Sequence, residues 1–140
     1  MQPGQGGGGY TWGRERRLHR RSDFAAARER GISRAHPLLV LQTVLNSLPY
    51  SRFGLVVSRR VDLRAVGRNR VRRRLREIVR QSPVRAGWDV VLVARPAAAG
   101  AAFGELRQAV WELERRAGLV DTAGVSAPRT TEKQVGTTEV

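Results

Sequence analysis

The chain has 140 residues, of which 26 are Lys or Arg and 12 are Asp or Glu, so its formal net charge at pH 7 is +14. A charge of this size on so short a chain favours a polyanionic partner, either nucleic acid or an anionic membrane surface. The sequence has no cysteine, which excludes disulfides, thiol nucleophiles and cysteine-ligated zinc and is typical of the reducing cytoplasm.

One domain is expected over residues 14–119, between two segments too poor in apolar residues to order themselves. Residues 1–13 are predicted to form a disordered Gly-rich arm, and residues 120–140 a disordered tail. Tyr10 and Trp12 interrupt the arm, and they either stack on bases or pack on the domain edge. No apolar run approaches the roughly 18 residues that span a bilayer, and there is no secretory signal pattern. We therefore expect a cytoplasmic protein with no membrane partner.

The first predicted helix lies before Gly31, which is a suitable stop, and Ser22 or Asp23 is the predicted N-cap. Phe24 is its only large apolar side chain. Two roles are open for this ring: an anchor in the core, or a surface residue against single-stranded RNA.

Three strands are predicted from apolar runs bounded by turn residues. Residues 37–46 and 52–58 are joined by a short polar link, which predicts an antiparallel pair. Residues 88–95 form a continuous apolar run, which is typical of a central strand.

The most basic stretch, residues 58–80, contains ten arginines and only two acids, Asp62 and Glu77. From about Arg68 it has helical periodicity, after an irregular segment at 61–66. The apolar stripe of this helix is Val71, Leu75, Ile78 and Val79. The opposite face carries Asn69, Arg73, Arg76 and Arg80, with Arg70 and Arg72 on its flanks. An ordinary solvated helix face has mixed charges, whereas a face of one sign repels itself unless a polyanion binds it.

The last predicted helix covers residues 103–118 and ends at Gly118. Its predicted buried seam is Phe103, Leu106, Val110, Leu113 and Ala117. Trp111 flanks the seam and is expected to pack there. The order α-β-β-α-β-α predicts an α+β fold, a two-layer α/β sandwich in which the second and third helices cover one sheet face.

The chain shows no catalytic motif of its own. His19 and His36 are its only histidines, and no Ser/His/Asp spacing, metal-binding motif or phosphate-cradling Gly loop is present. We predict no catalytic residue and no metal ligand in the protein.

Four blocks follow each other along the chain: RLHRRSDF (17–24), GLVVSRR (54–60), AVGRNRVRRRLRE (65–77) and DVVLVAR (89–95). Their order and spacing resemble the bacterial ribonuclease P protein component, over roughly residues 15–119. The signature of that family is Arg68-Asn69-Arg70 with the basic helix that follows it.

The resemblance implies the small subunit of a ribonucleoprotein whose RNA is the catalyst. The holoenzyme removes the 5′ leader of precursor tRNA by phosphodiester hydrolysis, with Mg²⁺ held by the RNA and the substrate and none by the protein alone. The implied partners are the catalytic RNA and precursor tRNA, with one protein per RNA and a dimer of the holoenzyme left open. The implied fold has a left-handed βαβ crossover, as in the second domain of a small-subunit ribosomal protein.

Residue roles implied by the resemblance fall into two groups. Phe24 matches the aromatic residue of a cleft that holds the single-stranded leader, and Arg28, which stands where the family often has a second Phe, is predicted to belong to the same leader-binding cleft. A further departure from the family is the segment Asp62-Leu63-Arg64. The residues implied to bind RNA are Arg59, Arg60, Arg68, Asn69, Arg70, Arg72, Arg73 and Arg76.

Two other hypotheses remain open from the sequence. A general structured-RNA-binding or ribosomal protein would bind RNA without affecting cleavage of precursor tRNA. A DNA-binding module would place the basic helix in a major groove.

Overall fold

The computed structural model of the chain describes residues 14–120, so the predicted arm with Tyr10 and Trp12, and the predicted tail beyond Val120, lie outside the described residues. Val120 itself forms an isolated antiparallel bridge with Val84. In chain order the elements are a 3₁₀ turn (Arg14–Arg16), α1 (Arg21–Arg30), β1 (Ile32–Ala35), β2 (Leu39–Leu45), β3 (Arg52–Val56), α2 (Ala65–Arg80), β4 (Trp88–Ala94), a second 3₁₀ turn (Pro96–Gly100) and α3 (Phe103–Arg116).

The four strands form one sheet in the order β1-β2-β4-β3. The central position predicted for residues 88–95 is confirmed, because β4 pairs antiparallel with β2 and parallel with β3. The predicted antiparallel pairing of residues 37–46 with 52–58 is wrong, since β4 lies between them. The link between β2 and β3 crosses the end of β4, where the Asn46 side chain donates to Asp89 Oδ1 (2.8 Å) and the Asn46 backbone N–H donates to the Gly87 carbonyl (2.8 Å).

Strand β1 is an edge strand that the sequence pattern did not predict. Its four residues are ISRA, and only Arg34 among them is not exposed. A short, exposed edge strand has no apolar alternation to read, because neither of its faces is fully covered. The observed order therefore contains one strand more than predicted, within the same α+β class.

Helices α2 and α3 cover one face of the sheet and form the main core with it. The predicted stripe of α2 is confirmed: Val71, Leu75, Ile78 and Val79 are all buried. In α3 the predicted seam residues Leu106, Val110 and Leu113 are confirmed as buried. Phe103, the first residue of the predicted seam, is 37% exposed and lies at the edge of the core.

Helix α1 packs on the opposite face of the sheet, in a smaller cluster built on Leu18, Ala27 and Val91. It begins at Arg21, and its N-cap Arg20 makes no side-chain cap, so the predicted caps at Ser22 or Asp23 are wrong. Gly31 is confirmed as the stop. A Cβ at that position would collide with the carbonyl oxygens of Thr43 and Ala27, so only glycine fits there. One helix of ten residues leaves part of this face open.

The segment from β3 through α2 to β4 is a βαβ unit, because its two strands are parallel neighbours. Helix α2 begins at Ala65, three residues before the predicted start and inside the segment predicted to be irregular. The left-handed sense of this crossover stays an expectation from the resemblance.

Candidate nucleic-acid interface

The outward face of α2 carries exposed arginines whose guanidinium groups bind nothing else in residues 14–120. We call Arg70, Arg73 and Arg76 the arginine ridge. Arg59 and Arg60, in the loop before α2, are exposed in the same way. None of these five side chains makes a hydrogen bond or ion pair with another described residue. Such unpaired guanidiniums suit bidentate contacts with phosphate.

Two other arginines of α2, Arg68 and Arg74, donate hydrogen bonds to backbone carbonyl groups within the fold. Arg68 donates through Nη1 to the carbonyl oxygens of Asp62 (3.1 Å) and Leu63 (2.9 Å), and so fixes the loop that precedes its own helix. Arg74 donates to the carbonyl oxygen of Ala101 (3.0 Å), just before α3. The side chain of Arg68, one of the predicted RNA contacts, is therefore partly occupied within the fold.

Arg72 and Asn69 form a pair on one side of α2. Arg72 Nη1 donates to Asn69 Oδ1 at 2.9 Å, across one turn of the helix. This bond leaves the remaining donors of Arg72 free and directs its guanidinium along one side of the helix. Arg72 also lines the cleft described below, so it connects the ridge to that cleft.

The two acids of this stretch are both neutralised internally. Asp62 accepts from the backbone N–H of Arg64 (2.9 Å) and from its Nε (3.3 Å), and these bonds lower the pKa of the Asp62 carboxyl. Glu77 accepts from Arg80 (2.6 and 2.7 Å) and from Gln81 (2.8 Å). Arg80, predicted to project on the same face, is therefore charge-compensated, whereas no carboxylate in residues 14–120 pairs with Arg70, Arg73 or Arg76.

The Asp62-Leu63-Arg64 segment, which departs from the family pattern, is a compact turn. The carboxylate of Asp62 lies against Gly67 in the first turn of α2, where any Cβ would collide with it. The segment thus places the Asp62 carboxylate against Gly67 and leaves the Leu63 side chain exposed.

A cleft of about 410 Å³ opens between α1 and α2 at the edge strand β3, and it is lined by residues from both faces of the sheet. Its floor is apolar and its rim is basic. We call it the α1 cleft. Its lining residues are His19, Arg21, Phe24, Leu55, Val56, Val57 and Arg72.

Phe24 fits both roles left open by the sequence. Its ring is half-buried and packs against the smaller core cluster. It also lies directly over the backbone of Gly54, where an added Cβ would be 2.5 Å from Phe24 Cε1. Because Gly54 has no side chain, the ring can approach the strand closely and still line the cleft.

The structure adds residues to the predicted cleft and places one predicted residue elsewhere. His19, Arg21 and Leu55 line it but were not among the residues predicted for the cleft. Arg28 lies one turn beyond Phe24, is exposed, and forms an ion pair with Glu29 (3.5 Å). It is not among the residues that line the α1 cleft, and its role there stays a prediction.

Neither metal-binding clusters nor membrane spans occur within the described range. No group of three or more His, Asp or Glu side chains in residues 14–120 is placed to hold a metal ion. Over the same residues, no helix is both long and apolar enough to span a bilayer.

Fold and surface together define a class of small, strongly basic α+β proteins with an arginine-rich helix in a βαβ crossover and an open cleft beside it. The family model of ribonuclease P matches residues 13–118. The chain therefore belongs to the ribonuclease P protein family.

Individual relatives agree with this membership. The chain is 42% identical over 108 residues to the ribonuclease P protein component of Xanthomonas oryzae pv. oryzae, covering 76% of this chain and 74% of that one. It is 36% identical over 104 residues to that of Dehalococcoides mccartyi, covering 74% and 86%.

Two solved structures share the fold. The RNase P protein of Staphylococcus aureus superposes with a TM-score of 0.69 at 26% identity, covering 76% of this chain and 98% of that one. The RNase P protein of Thermotoga maritima superposes with a TM-score of 0.65 at 30% identity, covering 71% and 96%.

Proposed function

We propose that the chain binds the RNA of ribonuclease P through α2 and holds the single-stranded 5′ leader of precursor tRNA in the α1 cleft, assisting removal of that leader. As a member of the ribonuclease P protein family, the chain is part of the ribonuclease P ribonucleoprotein. The observation that carries the finer proposal is the free arginine ridge beside an aromatic-lined cleft.

The ridge supplies affinity for the RNA backbone. Arg70, Arg73 and Arg76 are exposed, and internal ion pairs do not offset their charge. Neutralising phosphates with arginine releases counterions, which gives binding a steep dependence on salt. The main core holds the opposite side of α2 rigidly, so the ridge meets the RNA as a preformed surface.

The cleft supplies the grip on the leader. A single strand exposes its bases, which stack on aromatic rings, while its phosphates meet basic side chains. The α1 cleft offers the Phe24 ring with Arg21 and Arg72 on its rim. Because Arg72 is also bonded to Asn69 of α2, a leader in the cleft would lie beside the bound RNA.

The chemistry of hydrolysis belongs to the RNA in this proposal. Hydrolysis would draw on Mg²⁺ held by the RNA and the substrate, and the protein would lower the Mg²⁺ requirement by neutralising crowded phosphates. We further propose one protein per RNA, acting in the cytoplasm, which agrees with a cysteine-free chain.

Reconstitution tests the proposal. Protein is added to ribonuclease P RNA and precursor tRNA at low Mg²⁺, and release of the 5′ leader is followed with time. We expect stimulation that fades as Mg²⁺ is raised. Tight RNA binding without stimulation would indicate a general RNA-binding protein, and preference for duplex DNA over structured RNA would indicate a DNA-binding module.

A further inference from the structure

One flank of α3 carries aromatic and arginine side chains in strict alternation. Phe103, Arg107, Trp111 and Arg115 follow each other at every fourth position, and we call them the α3 stripe. Each step of four residues advances about 6 Å along the helix and turns by about 40°, so the four side chains form one continuous row.

The middle of the stripe is held by two cation–π contacts. The Arg107 guanidinium lies 5.4 Å from the centroid of the Trp111 ring and 5.9 Å from that of the Phe103 ring. Its Nε is buried and has no hydrogen-bond partner in residues 14–120, and no carboxylate of that range pairs with it. The two rings are 37% and 38% exposed. The stripe therefore presents open aromatic surface beside a cation that has no counter-charge.

The exposed acids of α3, Glu105 and Glu112, flank the stripe and are both bonded to other groups. Glu105 accepts from the backbone N–H of Ala102 (2.8 Å), and Glu112 pairs with Arg116 (3.7 Å). At 100° per residue, both acids fall more than a quarter turn from Trp111. Glu114, on the stripe's side, is fully buried. Within residues 14–120, the exposed carboxylates of α3 are thus bonded to other groups and do not pair with Arg107 or Arg115.

The stripe is distinct from the α1 cleft but adjacent to α2. Helix α3 packs on the face of the sheet opposite to α1, so the sheet separates the stripe from α1. Glu114, on the same side of α3 as the stripe, approaches Ser82 just after the end of α2. Arg74 of α2 bonds to Ala101 just before α3. The stripe therefore runs along the side of α3 that faces the arginine-rich helix.

We propose that the α3 stripe is a second RNA-binding surface, on which bases of an unpaired RNA segment stack against Trp111 and Phe103 while Arg107 and Arg115 meet its phosphates. Base–aromatic stacking tolerates any sequence and is reinforced by neighbouring arginine. Charge favours RNA over a second copy of the chain, because two molecules of net charge +14 repel each other. The proposal goes beyond leader binding and does not depend on it.

The test measures binding of a short oligouridylate to the full-length chain, in a Phe24→Ala background that removes stacking in the α1 cleft. In that background we expect Trp111→Ala to weaken binding about fivefold or more, as loss of one stacked base does. We expect Arg107→Gln to lower the slope of log affinity against log salt by about 0.7, the share of one phosphate on a single strand.

Two variants control for folding and for general loss of apolar surface. Leu45→Ala removes an exposed apolar side chain (68%) at the end of β2 and should leave binding unchanged. Trp111→Leu keeps apolar bulk without the ring, and should bind as weakly as Trp111→Ala with an unchanged melting temperature. If Trp111→Ala does not fold, Trp111→Leu decides.

Two results would overturn the proposal. One is parental affinity in Trp111→Leu, which would make the stripe a purely structural cluster. The other is a concentration-dependent dimer in sedimentation that Trp111→Leu abolishes, which would make it a contact between copies of the chain.

Discussion

The arginines of α2 divide according to what each guanidinium contacts. Arg73 is exposed and binds no other described residue, whereas its neighbour Arg74 is half-buried and donates to the Ala101 carbonyl. The sequence placed both in one basic block, and helical periodicity alone assigned Arg73 to the outer face. What periodicity could not show is that a carbonyl from the segment before α3 would bind Arg74, because that contact depends on how the two helices pack.

Arg73→Gln and Arg74→Gln form a matched pair of neighbouring substitutions. We expect Arg73→Gln to weaken binding to structured RNA and to lower its salt slope by about 0.9, with no change in melting temperature. Arg74→Gln should instead cost about 1 kcal/mol of stability, because the carbonyl of Ala101 loses its donor. Filter binding across salt concentrations and thermal denaturation separate the two effects. Equal loss of RNA affinity in both variants would refute this division.

Phe24 can be tested for its two roles separately. Phe24→Leu keeps an apolar side chain of similar size against the smaller core cluster but removes the aromatic face. We expect it to retain most of the stability while losing much of the preference for precursor tRNA over mature tRNA. Phe24→Ala should lose both, with a stability cost of about 1–2 kcal/mol for a half-buried ring. If Phe24→Leu keeps the full preference, the ring is a core anchor and nothing more.

At the scale of elements, the sequence predicted the helices and strands that have a strong apolar period, and it missed the features that depend on how the strands pair in the sheet. The stripe of α2 and the central position of β4 follow from local apolar patterning, and both were predicted. Strand β1 has no such pattern and was not predicted. The predicted pairing of β3 with β2 was wrong, because strand order depends on contacts between residues far apart in the sequence. The α1 cleft was inferred only through the resemblance, since Phe24 and Arg72 are brought together by the packing of α1 and α2 on opposite faces.

The start of α2 gives a prediction opposite to the usual rule for helices. Replacing a helical glycine by alanine normally gains up to about 1 kcal/mol. A Cβ at Gly67, however, would collide with the Asp62 carboxylate, which is fixed by its bonds to Arg64. We therefore expect Gly67→Ala to destabilise the chain, and to become stabilising in an Asp62→Ala background. Urea denaturation of the two single variants and the double variant completes this double-mutant cycle. Additive effects on the free energy of unfolding would contradict the proposed collision with Asp62.

At the scale of the whole molecule, two basic surfaces share one sheet. Helix α1 lies on one face, while α2 and α3 lie on the other, and the α1 cleft at the β3 edge is lined by Phe24 from one side and Arg72 from the other. Under the proposed function, a single layer of strands would separate the single-stranded leader from the folded RNA. Concentrating positive charge on so few residues causes self-repulsion, which a bound polyanion would relieve.

An ionisable group is buried beside the main core. Glu114 of α3 is fully buried, and burial raises the pKa of its carboxyl from 4.5 to about 7. The nearby Ser82 hydroxyl lowers the pKa of Glu114 and so offsets part of the effect of burial. This hydroxyl donates its hydrogen bond to the Ile78 carbonyl (3.2 Å). Neither carboxylate oxygen of Glu114 therefore has a hydrogen-bond donor in residues 14–120. The folded chain therefore keeps this proton up to about pH 7, whereas the unfolded chain releases it near pH 4.5.

This difference predicts how global stability depends on pH. Between about pH 4.5 and pH 7 the folded state binds more protons than the unfolded state, so the free energy of unfolding falls as pH rises. The total loss is about 3 kcal/mol and is complete above pH 7. Glu114→Gln removes the ionisation at nearly constant shape, so we expect it to match the parent near pH 5 and to exceed its stability at pH 8. Urea denaturation at both pH values measures the free energy of unfolding of the two proteins. Glu112→Gln, which removes a partly exposed acid of α3, is the control. If Glu114→Gln loses as much stability between pH 5 and pH 8 as the parent does, the assignment is wrong.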